Sequence, residues 1–441
     1  MIARSFKIML AFLFAFPALF AKTYDLTSIL KLAESNNRQI QLAKADLKTA
    51  SAEKLNAFSR AIPKIDVNAG YNRNLQANVF FFEVTDPVTG ELQQGSFKTS
   101  FSNEFRLNAV LRQTLFSMDV GYAIQAARYF DKFTHFNFQS VRQQVITQVK
   151  TAFYGTLLAK DVLRVANDSQ ASAKDNYENI KAKFDAGVVS EFELLQAEVR
   201  WQNSIPRTLR AKQEYQSALN NLKALTGIPI EHEIELQGSL AYYPELPPAI
   251  GVEDVKGQRP DFNALTWEKK LQQKNVSAQR AGFFPSLEGT FSYSYSAASD
   301  QFKLQRENDN YIVGVSLKIP IFSGGSTIAK VRKASAEVDR VNTRIAKTVD
   351  DIKLSLENTQ LRLTEAMQRI KATETAVKSA QRAFEIAETR VENGLSTQVE
   401  LKDSRVELDQ AQVNYFSAIF DYLKAYFDWE QTTGAVTFGG F

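Results

Sequence analysis

Apolar positions in residues 326–392 repeat every seven residues and indicate one very long helix. The stretch contains neither Pro nor Gly. Its apolar and small residues form two series that alternate three and four residues apart, as in the seam of a coiled coil. At about 1.5 Å per residue the helix would be roughly 100 Å long, too long for an ordinary globular domain. The two series are Val331, Val338, Ile345, Ile352, Ala366, Ala380 and Ala387, and Ile328, Val349, Leu356, Leu363, Ile370, Val377, Phe384 and Val391.

The chain repeats one pattern at a spacing of about 207 residues. Gly187 and Gly394 are 207 residues apart, and the Phe-Ser pairs that begin at Phe116 and Phe322 are 206 residues apart. Each copy is predicted to contain an opening helix, two strands, a very long helix and a return helix. A repeat with a fixed period indicates two copies of one architecture.

The two predicted repeats cover residues 22–227 and 252–434. The opening helices stop at Pro63 and Pro285, since Pro cannot continue a helix. In the first repeat we predict strands at 64–82 and 97–116, the long helix at 118–186 and the return helix at 190–226. In the second we predict strands at 286–296 and 311–321, the long helix at 326–392 and the return helix at 397–433. Residues 228–251, with Pro229, Pro244, Pro247 and Pro248, are predicted to be a linker or belt, and 435–441 a tail.

The predicted strands alternate apolar and polar residues. Odd positions of the first pair are apolar, including Ile65, Val67, Val79, Phe81, Phe97, Phe105, Leu107 and Leu111. Strands of this length and polarity are typical of a membrane β-barrel, although a soluble half-buried sheet gives the same alternation. Four strands cannot close a barrel, so we expect the chain to supply part of a shared one.

Both long helices are predicted to end at a glycine turn. Gly187 and Gly394 are typical left-handed helix stops. Ser190 with Glu193, and Thr397 with Glu400, then form capping boxes that start the return helices.

The first 21 residues are predicted to be a signal peptide. Arg4 and Lys7 precede an apolar run that is too short to span a membrane, and a serviceable cleavage site ends at Ala21. After Ala21 no apolar run approaches the length of a transmembrane helix. The chain therefore enters an export pathway.

Composition excludes several classes of function. The chain has 441 residues, a formal net charge of +4 and no Cys, so we expect no disulfide, no thiolate metal site and no nucleic-acid partner. His135 and His232 are the only histidines, and no phosphate-binding loop, nucleophile elbow or metalloprotease motif is present. We therefore predict no catalytic, metal-binding or cofactor-binding residue, and no enzyme.

One acidic pair stands out at the start of the last helix. Glu400 and Asp403 are three residues apart and share a helix face. In a ring of identical chains they could form a collar of carboxylates. Glu400 could instead act only as the capping-box acid, as Glu193 does in the other repeat. Asp403 corresponds to Gln196, so the repeat gives it no architectural role, although its position also suits the helix dipole.

The ordered set of motifs resembles the TolC-like outer membrane efflux proteins over essentially the whole mature chain. The resemblance is carried by Arg259-Pro260-Asp261, by Phe284-Pro285-Ser286-Leu287, by the two Phe-Ser helix starts and by the glycine turns. It implies an α+β membrane protein that forms a homotrimer, with four strands per chain in a twelve-stranded outer membrane β-barrel and long coiled-coil helices in a periplasmic α-barrel. It also implies docking on a periplasmic adaptor, which links to an inner membrane pump of the RND, ABC or MFS type.

The family's site residues can be carried over position by position. Its acidic constriction falls on Glu400 and Asp403. A basic residue that helps to lock the closed tip in the best-known member falls at Ser396, so the sequence does not predict an ion-pair lock there. The turns that dock adaptors correspond to Gly187, Val188, Val189, Ser190, Gly394, Leu395, Ser396 and Thr397.

The sequence therefore predicts a passive exit duct in the outer membrane, gated at its periplasmic tip, for tripartite efflux or type I secretion. Drugs, metals, polypeptides or polysaccharides could all use such a duct. The alternative is a soluble periplasmic coiled-coil scaffold or adhesin with a small β-domain. Insertion of the strands in a membrane separates the two hypotheses.

Overall fold

The computed structural model describes residues 22–88 and 90–439. The predicted signal peptide, residues 1–21, lies outside the described residues. Contacts divide the chain into two compact units. Unit 1 contains the described residues within 1–43, 139–260 and 350–441, and unit 2 contains residues 44–138 and 261–349.

The helices of the described residues include two pairs that follow the predicted repeat. The long helices have 68 and 67 residues, and each return helix has 36 residues. Within the described ranges, no helix has both the length and the apolar character required to cross a bilayer. The helices are α1 (Leu26–Asn36), α2 (Arg38–Ser59), α3 (Met118–Asp185), α4 (Glu191–Thr226), α5 (Val252–Lys256), α6 (Pro260–Arg280), α7 (Ser326–Glu392) and α8 (Gln398–Thr433).

Within residues 22–88 and 90–439, the strands form three small sheets. β1 and β6 pair in parallel, β3 and β4 form a hairpin, and the remaining strands form an antiparallel sheet in the order β2-β5-β7-β8. The strands are β1 (Lys22–Tyr24), β2 (Lys64–Arg73), β3 (Val79–Thr85), β4 (Leu92–Lys98), β5 (Asn103–Phe116), β6 (Ile234–Leu236), β7 (Ser286–Ser299) and β8 (Asn308–Lys318).

The opening helix of each repeat is divided, where the sequence predicted one continuous helix. Asn37 separates α1 from α2, because its side-chain oxygen accepts hydrogen bonds from the backbone N–H groups of Gln39 and Ile40 at 2.9 and 3.3 Å. These bonds cap α2. Asn37 Nδ2 also donates to the Leu225 carbonyl at 2.8 Å, which fixes the break against α4. In the second repeat, residues 257–259 separate α5 from α6, whose first residue is Pro260.

The first predicted strand pair is divided as well. The part of this pair nearest its connecting loop is the separate β3–β4 hairpin. The pairing register of β3 with β4 differs by one residue from the register of β2 with β5. Tyr71 lies opposite Phe105, whereas Phe80 lies opposite Phe97. Directly opposite residues share a face, so Phe97 lies with Phe80 and not in the odd-numbered apolar series with Phe81. The prediction that Phe97 shares a face with the odd-numbered apolar residues of this strand pair is therefore wrong.

The fourth strand ends earlier than the predicted residue 321. β8 stops at Lys318, two residues before Pro320, which has no backbone N–H for the ladder. β8 also begins earlier, at Asn308, because residues 308–310 pair with residues 294–296 of β7.

Strands of the two repeats meet in the middle of the four-stranded sheet. β5 and β7 pair from Asn103 opposite Ser299 to Phe116 opposite Leu287, with one irregularity between Thr114 and Phe116. A single two-stranded hairpin is marginal in water, and adding strands stabilises it. The two repeats therefore share one sheet.

One face of this sheet is apolar and uncovered in the single chain. Val313 is 78% exposed, Ile65 is 68% exposed and Val315 is 66% exposed. The opposite face is polar, and on it Arg112 and Asp66 form an ion pair at 3.0 Å. A contiguous exposed apolar surface normally contacts a partner or a membrane.

The core of unit 1 packs helices of both repeats together. Tyr422 on α8 is fully buried, and its hydroxyl donates to the Pro244 carbonyl of the linker at 2.9 Å. Burial raises the Tyr422 pKa far above its ordinary value. The largest fully buried side chains of this unit include Ile29, Ile40, Ile146, Phe153, Leu222, Leu240, Ile352, Leu363, Ile370 and Phe427.

A buried ion pair fastens the C-terminal segment to this core. The Lys150 ammonium lies 2.7 Å from Glu430 Oε2, and the two side chains are 0% and 3% exposed. Thr437 completes the network, since its hydroxyl lies 2.9 Å from Lys150 Nζ and donates to Glu430 Oε1 at 2.6 Å. A buried pair is favourable only when such further hydrogen bonds satisfy it.

We predict that Lys150→Met destabilises the protein by about 3 kcal/mol or more, because it leaves the Glu430 carboxylate buried without a counter-charge. The free energy of unfolding in urea, measured in detergent, checks this value. Lys150→Met with Glu430→Met should recover most of the loss.

The matched control is Lys160→Met on the same helix. Lys160 lies 3.5 Å from Glu235, but both side chains are about half exposed. Its loss should cost less than about 1 kcal/mol. Equal losses for Lys150→Met and Lys160→Met would contradict the role of burial.

Candidate functional site

The two turns between the long helices and the return helices have the same backbone conformation. Gly187 has φ of 75° and Gly394 has φ of 70°. A side chain in this left-handed region meets its own backbone, and glycine avoids that cost. The predicted left-handed helix stops are confirmed.

Matching hydrogen bonds close both turns. Gly187 N–H donates to the Phe184 carbonyl at 2.8 Å, and Val188 N–H donates to the Lys183 carbonyl at 2.9 Å. The second turn repeats these bonds, from Gly394 to Val391 at 3.1 Å and from Leu395 to Arg390 at 2.8 Å. This is the Schellman arrangement, which satisfies the last carbonyls of a helix.

Ser190 and Thr397 cap the return helices, which is the hydroxyl half of each predicted capping box. Ser190 Oγ accepts from Glu193 N–H at 3.4 Å, and Thr397 Oγ1 accepts from Glu400 N–H at 3.2 Å. Each cap satisfies one backbone donor that the helix cannot use internally.

The acidic pair lies on the exposed surface of the first turns of α8. The Ser396 hydroxyl donates to Glu400 Oε2. The Asp403 carboxylate is 62% exposed and lies 3.2 Å from Lys402 Nζ. Ser396 thus holds the Glu400 side chain locally, at the position where the resemblance places a basic residue. Lys402 is a neighbour that the sequence reasoning did not consider.

Apolar side chains project from both turns. Val188 is 72% exposed and Leu395 is 69% exposed, both within the turns that the sequence selected. The structure adds Phe192, which is 68% exposed on the first turn of α4.

The two helical hairpins meet close to these turns. Arg200 Nη1 on α4 donates to the carbonyl of Gln398, the first residue of α8, at 3.2 Å. Within the first hairpin, the Tyr177 and Trp201 rings stack with centroids 5.3 Å apart. The start of α8, which carries Glu400 and Asp403, is therefore attached to the first hairpin.

An ion pair deeper along α8 was missed by the sequence reasoning. Arg405 Nε lies 2.8 Å from Asp409 Oδ1, and both side chains are only 19% exposed. Burial is the main reason why the Asp409 pKa is raised above its ordinary value. The repeat offers a signal for this pair, because the corresponding residues are Glu198 and Gln202.

No metal-binding group is evident in the part of the chain that the structure describes. No group of three or more His, Asp or Glu side chains there is arranged to hold a metal ion. His135 and His232 are both exposed and lie far apart in the sequence.

The fold matches that of a solved outer membrane channel. It is similar to that of the CmeC outer membrane channel of Campylobacter jejuni, with a TM-score of 0.78 at 21% identity over 93% of this chain and 85% of that one. The predicted architecture, with mostly helices and few strands, is therefore the one found in this solved channel.

The sequence matches the model of the "Outer membrane efflux protein" family over residues 29–228 and 251–434. The chain belongs to this family, and the resemblance seen in its motifs is confirmed. The two matched segments correspond to the two repeats.

Two curated relatives show the same relationship. The chain is 23% identical to the alkaline protease secretion protein AprF of Pseudomonas aeruginosa over 60% of its own length, and it spans 57% of that relative. It is also 23% identical to the outer membrane protein TolC of Vibrio cholerae over 70% of its length, and it spans 68% of that relative.

We predict that Gly394→Val disturbs the α7–α8 turn, because a β-branched residue at positive φ is strained by about 1–2 kcal/mol or more. Hydrogen exchange of the amides of Gly394 and Leu395 should become faster, since their bonds to α7 are strained. Gly394→Asn is the control, because Asn tolerates the left-handed region and should exchange nearly as the wild type does. Slow exchange in Gly394→Val would contradict the assignment.

Proposed function

We propose that the chain is the outer membrane exit duct of a tripartite efflux or type I secretion system, and that it works as a homotrimer. The observation that carries the proposal is the four-stranded sheet with its exposed apolar face, in a chain of the outer membrane efflux protein family. Ile65, Val313 and Val315 on that face are suited to lipid.

The edges of the sheet support a shared barrel. Among the described residues, β2 pairs only with β5, and β8 pairs only with β7, so each has one open edge. Open edges cannot remain unpaired in a lipid bilayer. Pairing of β2 of one chain with β8 of the next satisfies both edges, and three chains with four strands each close a twelve-stranded barrel.

The polar face of the sheet then lines the lumen. Asn68, Asn108, Ser292 and Ser294 lie on this face, because they alternate with the apolar residues of the same strands. Hydroxyl and amide side chains suit a water-filled passage for solutes of several kinds. Transport through it is passive, and no step of the proposal requires catalysis.

The helical turns are proposed to bind a periplasmic adaptor that links the duct to an inner membrane pump of the RND, ABC or MFS type. Support comes from the exposed apolar residues Val188, Phe192 and Leu395, which would otherwise contact water. The docking set comprises Gly187, Val188, Val189, Ser190, Gly394, Leu395, Ser396 and Thr397. AprF is named for secretion of a protease, whereas the family is named for efflux. Because one architecture would then serve different cargoes, we propose that the pump selects the cargo.

Glu400 and Asp403 are proposed to form the gate. Both carboxylates are exposed near the start of α8, and neither is taken up by a partner from another helix in the described structure. In a trimer these residues would form a ring of carboxylates, which attracts cations and narrows the passage.

The alternative, a soluble periplasmic scaffold or adhesin, accounts less well for the sheet. A soluble half-buried sheet covers its apolar face, whereas Val313 is 78% exposed here. The test is reconstitution of the detergent-purified full chain in planar bilayers, with its mass measured by light scattering. Conducting trimers support the duct, and a detergent-free soluble chain without conductance would overturn it.

We predict that Glu400→Ala with Asp403→Ala increases single-channel conductance and abolishes block by multivalent cations, because the carboxylate ring is lost. Glu193→Ala in α4 is the matched control, since it removes the equivalent capping acid without touching the ring. If the control and the double variant behaved alike, capping alone would explain the effect.

We also predict that Val188→Cys and Leu395→Cys form cross-links with a periplasmic adaptor when a thiol cross-linker is added to cells. The chain has no native Cys, so each site reports by itself. Leu42→Cys is the control, because Leu42 is 68% exposed but lies on α2, outside the docking set. Equal cross-linking from all three positions would argue against docking at the turns.

A further inference from the structure

The β7–β8 loop, residues 300–307, folds back over the apolar face of the four-stranded sheet. Tyr71 and Phe105 lie directly opposite each other on that face. The Phe302 ring packs against both, with its centroid 5.4 Å from that of Tyr71 and 5.6 Å from that of Phe105. The loop therefore contacts β2 and β5, although it connects β7 with β8.

Hydrogen bonds attach both ends of the loop to the sheet. Asp300 Oδ1 accepts from the backbone N–H and from the hydroxyl of Ser102, each at 3.2 Å. At the other end, the Gln305 carbonyl accepts from the Ala298 N–H at 2.9 Å, and Gln305 Oε1 accepts from the Ser299 hydroxyl at 3.2 Å. The folded-back conformation is therefore fixed by specific contacts at both ends.

Polar groups of the apolar face are satisfied where the loop crosses it. Asn103 and Ser299 lie opposite each other, and both are buried. Asn103 Oδ1 accepts from the Tyr71 hydroxyl at 2.8 Å, and Asn103 Nδ2 donates to the Ser299 carbonyl at 3.1 Å. The Gln301 N–H donates to the Ser299 hydroxyl at 3.1 Å. Such bonds remove the cost of placing polar groups on a surface that faces lipid.

The loop itself presents apolar side chains. Phe302 is 74% exposed and Leu304 is 56% exposed. They extend the apolar face on which Val313 and Val315 are exposed. The sheet carries Tyr71 and Phe105 at the same end, and aromatic residues mark the water interface of a membrane barrel. Continuity with the face proposed to contact lipid indicates that lipid covers the loop as well.

The cations of the loop lie beside these apolar side chains. Lys303 stands between the two exposed apolar residues in the sequence, and Arg306 follows shortly after. The acids lie at the ends, where Asp300 bonds Ser102 and Glu307 directly precedes β8. Long cationic side chains can place their charge among lipid headgroups while their stems remain on apolar surface.

Arg306 occupies a backbone conformation that disfavours arginine. Its φ is 47°, and within the described ranges it is the one non-glycine residue with positive φ. Glycine or asparagine would adopt this conformation with less strain. The Arg306 guanidinium lies over the Phe101 ring, with 4.0 Å between Cζ and the ring centroid. Because backbone preference does not account for arginine here, the side chain itself is the feature to explain.

We propose that the β7–β8 loop anchors its end of the sheet in the surface of the membrane, where Phe302 and Leu304 contact acyl chains and Lys303 and Arg306 bind the phosphates of anionic lipids. This inference rests on the proposed function, because it requires the apolar face of the sheet to contact lipid. The loop lies at the end of the sheet away from the starts of α3 and α7, so its lipids are those of the outer leaflet.

Fluorescence quenching tests the apolar contact. The chain has no Cys, so each single cysteine variant can carry one fluorophore. The full chain with labelled Leu304→Cys, reconstituted in phosphatidylcholine vesicles, should be quenched by brominated phosphatidylcholine. Adding Phe302→Ser should abolish most of this quenching, because the loop then loses its contact with Tyr71 and Phe105.

Two further labelled positions calibrate the measurement. Val313→Cys lies on the exposed apolar face of β8 and should be quenched by brominated lipid. Val88→Cys lies beyond the paired residues of the β3–β4 hairpin and should be quenched by aqueous iodide instead. Leu304→Cys should behave like the first of these positions.

Lipid preference tests the cations. Brominated phosphatidylglycerol should quench labelled Leu304→Cys at a lower fraction of the lipid than brominated phosphatidylcholine does. Lys303→Gln with Arg306→Asn should reduce this preference about fivefold or more, since each cation near an anionic surface contributes to binding. Asn keeps the left-handed backbone accessible, so the loop should remain folded.

The matched control also removes two positive charges. Lys64→Gln with Lys318→Gln changes exposed residues on the polar face, at the other end of β2 and β8. It should leave the preference for phosphatidylglycerol unchanged.

Each outcome decides between the proposals. If Val313→Cys is not quenched by lipid, the sheet is not in a membrane and the proposed duct is overturned. If Val313→Cys is quenched but Leu304→Cys behaves like Val88→Cys, the anchor is overturned and the duct stands. Protection of Leu304→Cys from both lipid and iodide would show that a neighbouring copy covers the loop, which also overturns the anchor. So would a lipid preference that survives Lys303→Gln with Arg306→Asn.

Discussion

Pairing of β5 with β7 is the interaction on which the architecture of unit 2 depends. Each repeat supplies only two strands to this sheet, and two strands alone are marginal. Joined at β5 and β7, they form one sheet with an apolar face, a polar face and two open edges. These three properties lead to the proposed barrel, because lipid accepts the apolar face but not the open edges.

In unit 1, the two repeats share the geometry of their turns but differ in their charged residues. The two turns share a positive-φ glycine, the same pair of closing hydrogen bonds and the same side-chain cap. These features satisfy backbone groups at helix ends and are needed wherever the chain reverses direction after a long helix. Asp403, Arg405 and Asp409 have no equivalents in the first repeat, and all three lie on α8. Function is therefore to be sought where the repeats differ.

Local signals made much of this fold predictable. The heptad pattern, the prolines and the turn glycines act over a few residues, and they placed α3, α4, α7 and α8 within a few residues of their observed ends. Pairing register was not predictable in the same way, because one extra residue between β2 and β3 or between β4 and β5 moves Phe97 to the other face. The break at Asn37 has a local component, the cap that its side chain provides, but the contact with the distant Leu225 carbonyl that fixes the break against α4 leaves no local pattern.

The sequence by itself determined the repeat, the kinds of element, the family and the position of the turns, because periodicity and glycine conformation are local properties of the chain. The tertiary structure alone decided which charges are buried. Lys150 and Glu430 are 280 residues apart, and Arg405 and Asp409 resemble an ordinary exposed helical pair in the sequence. Burial depends on what other helices place around a side chain, and only the folded chain defines that environment.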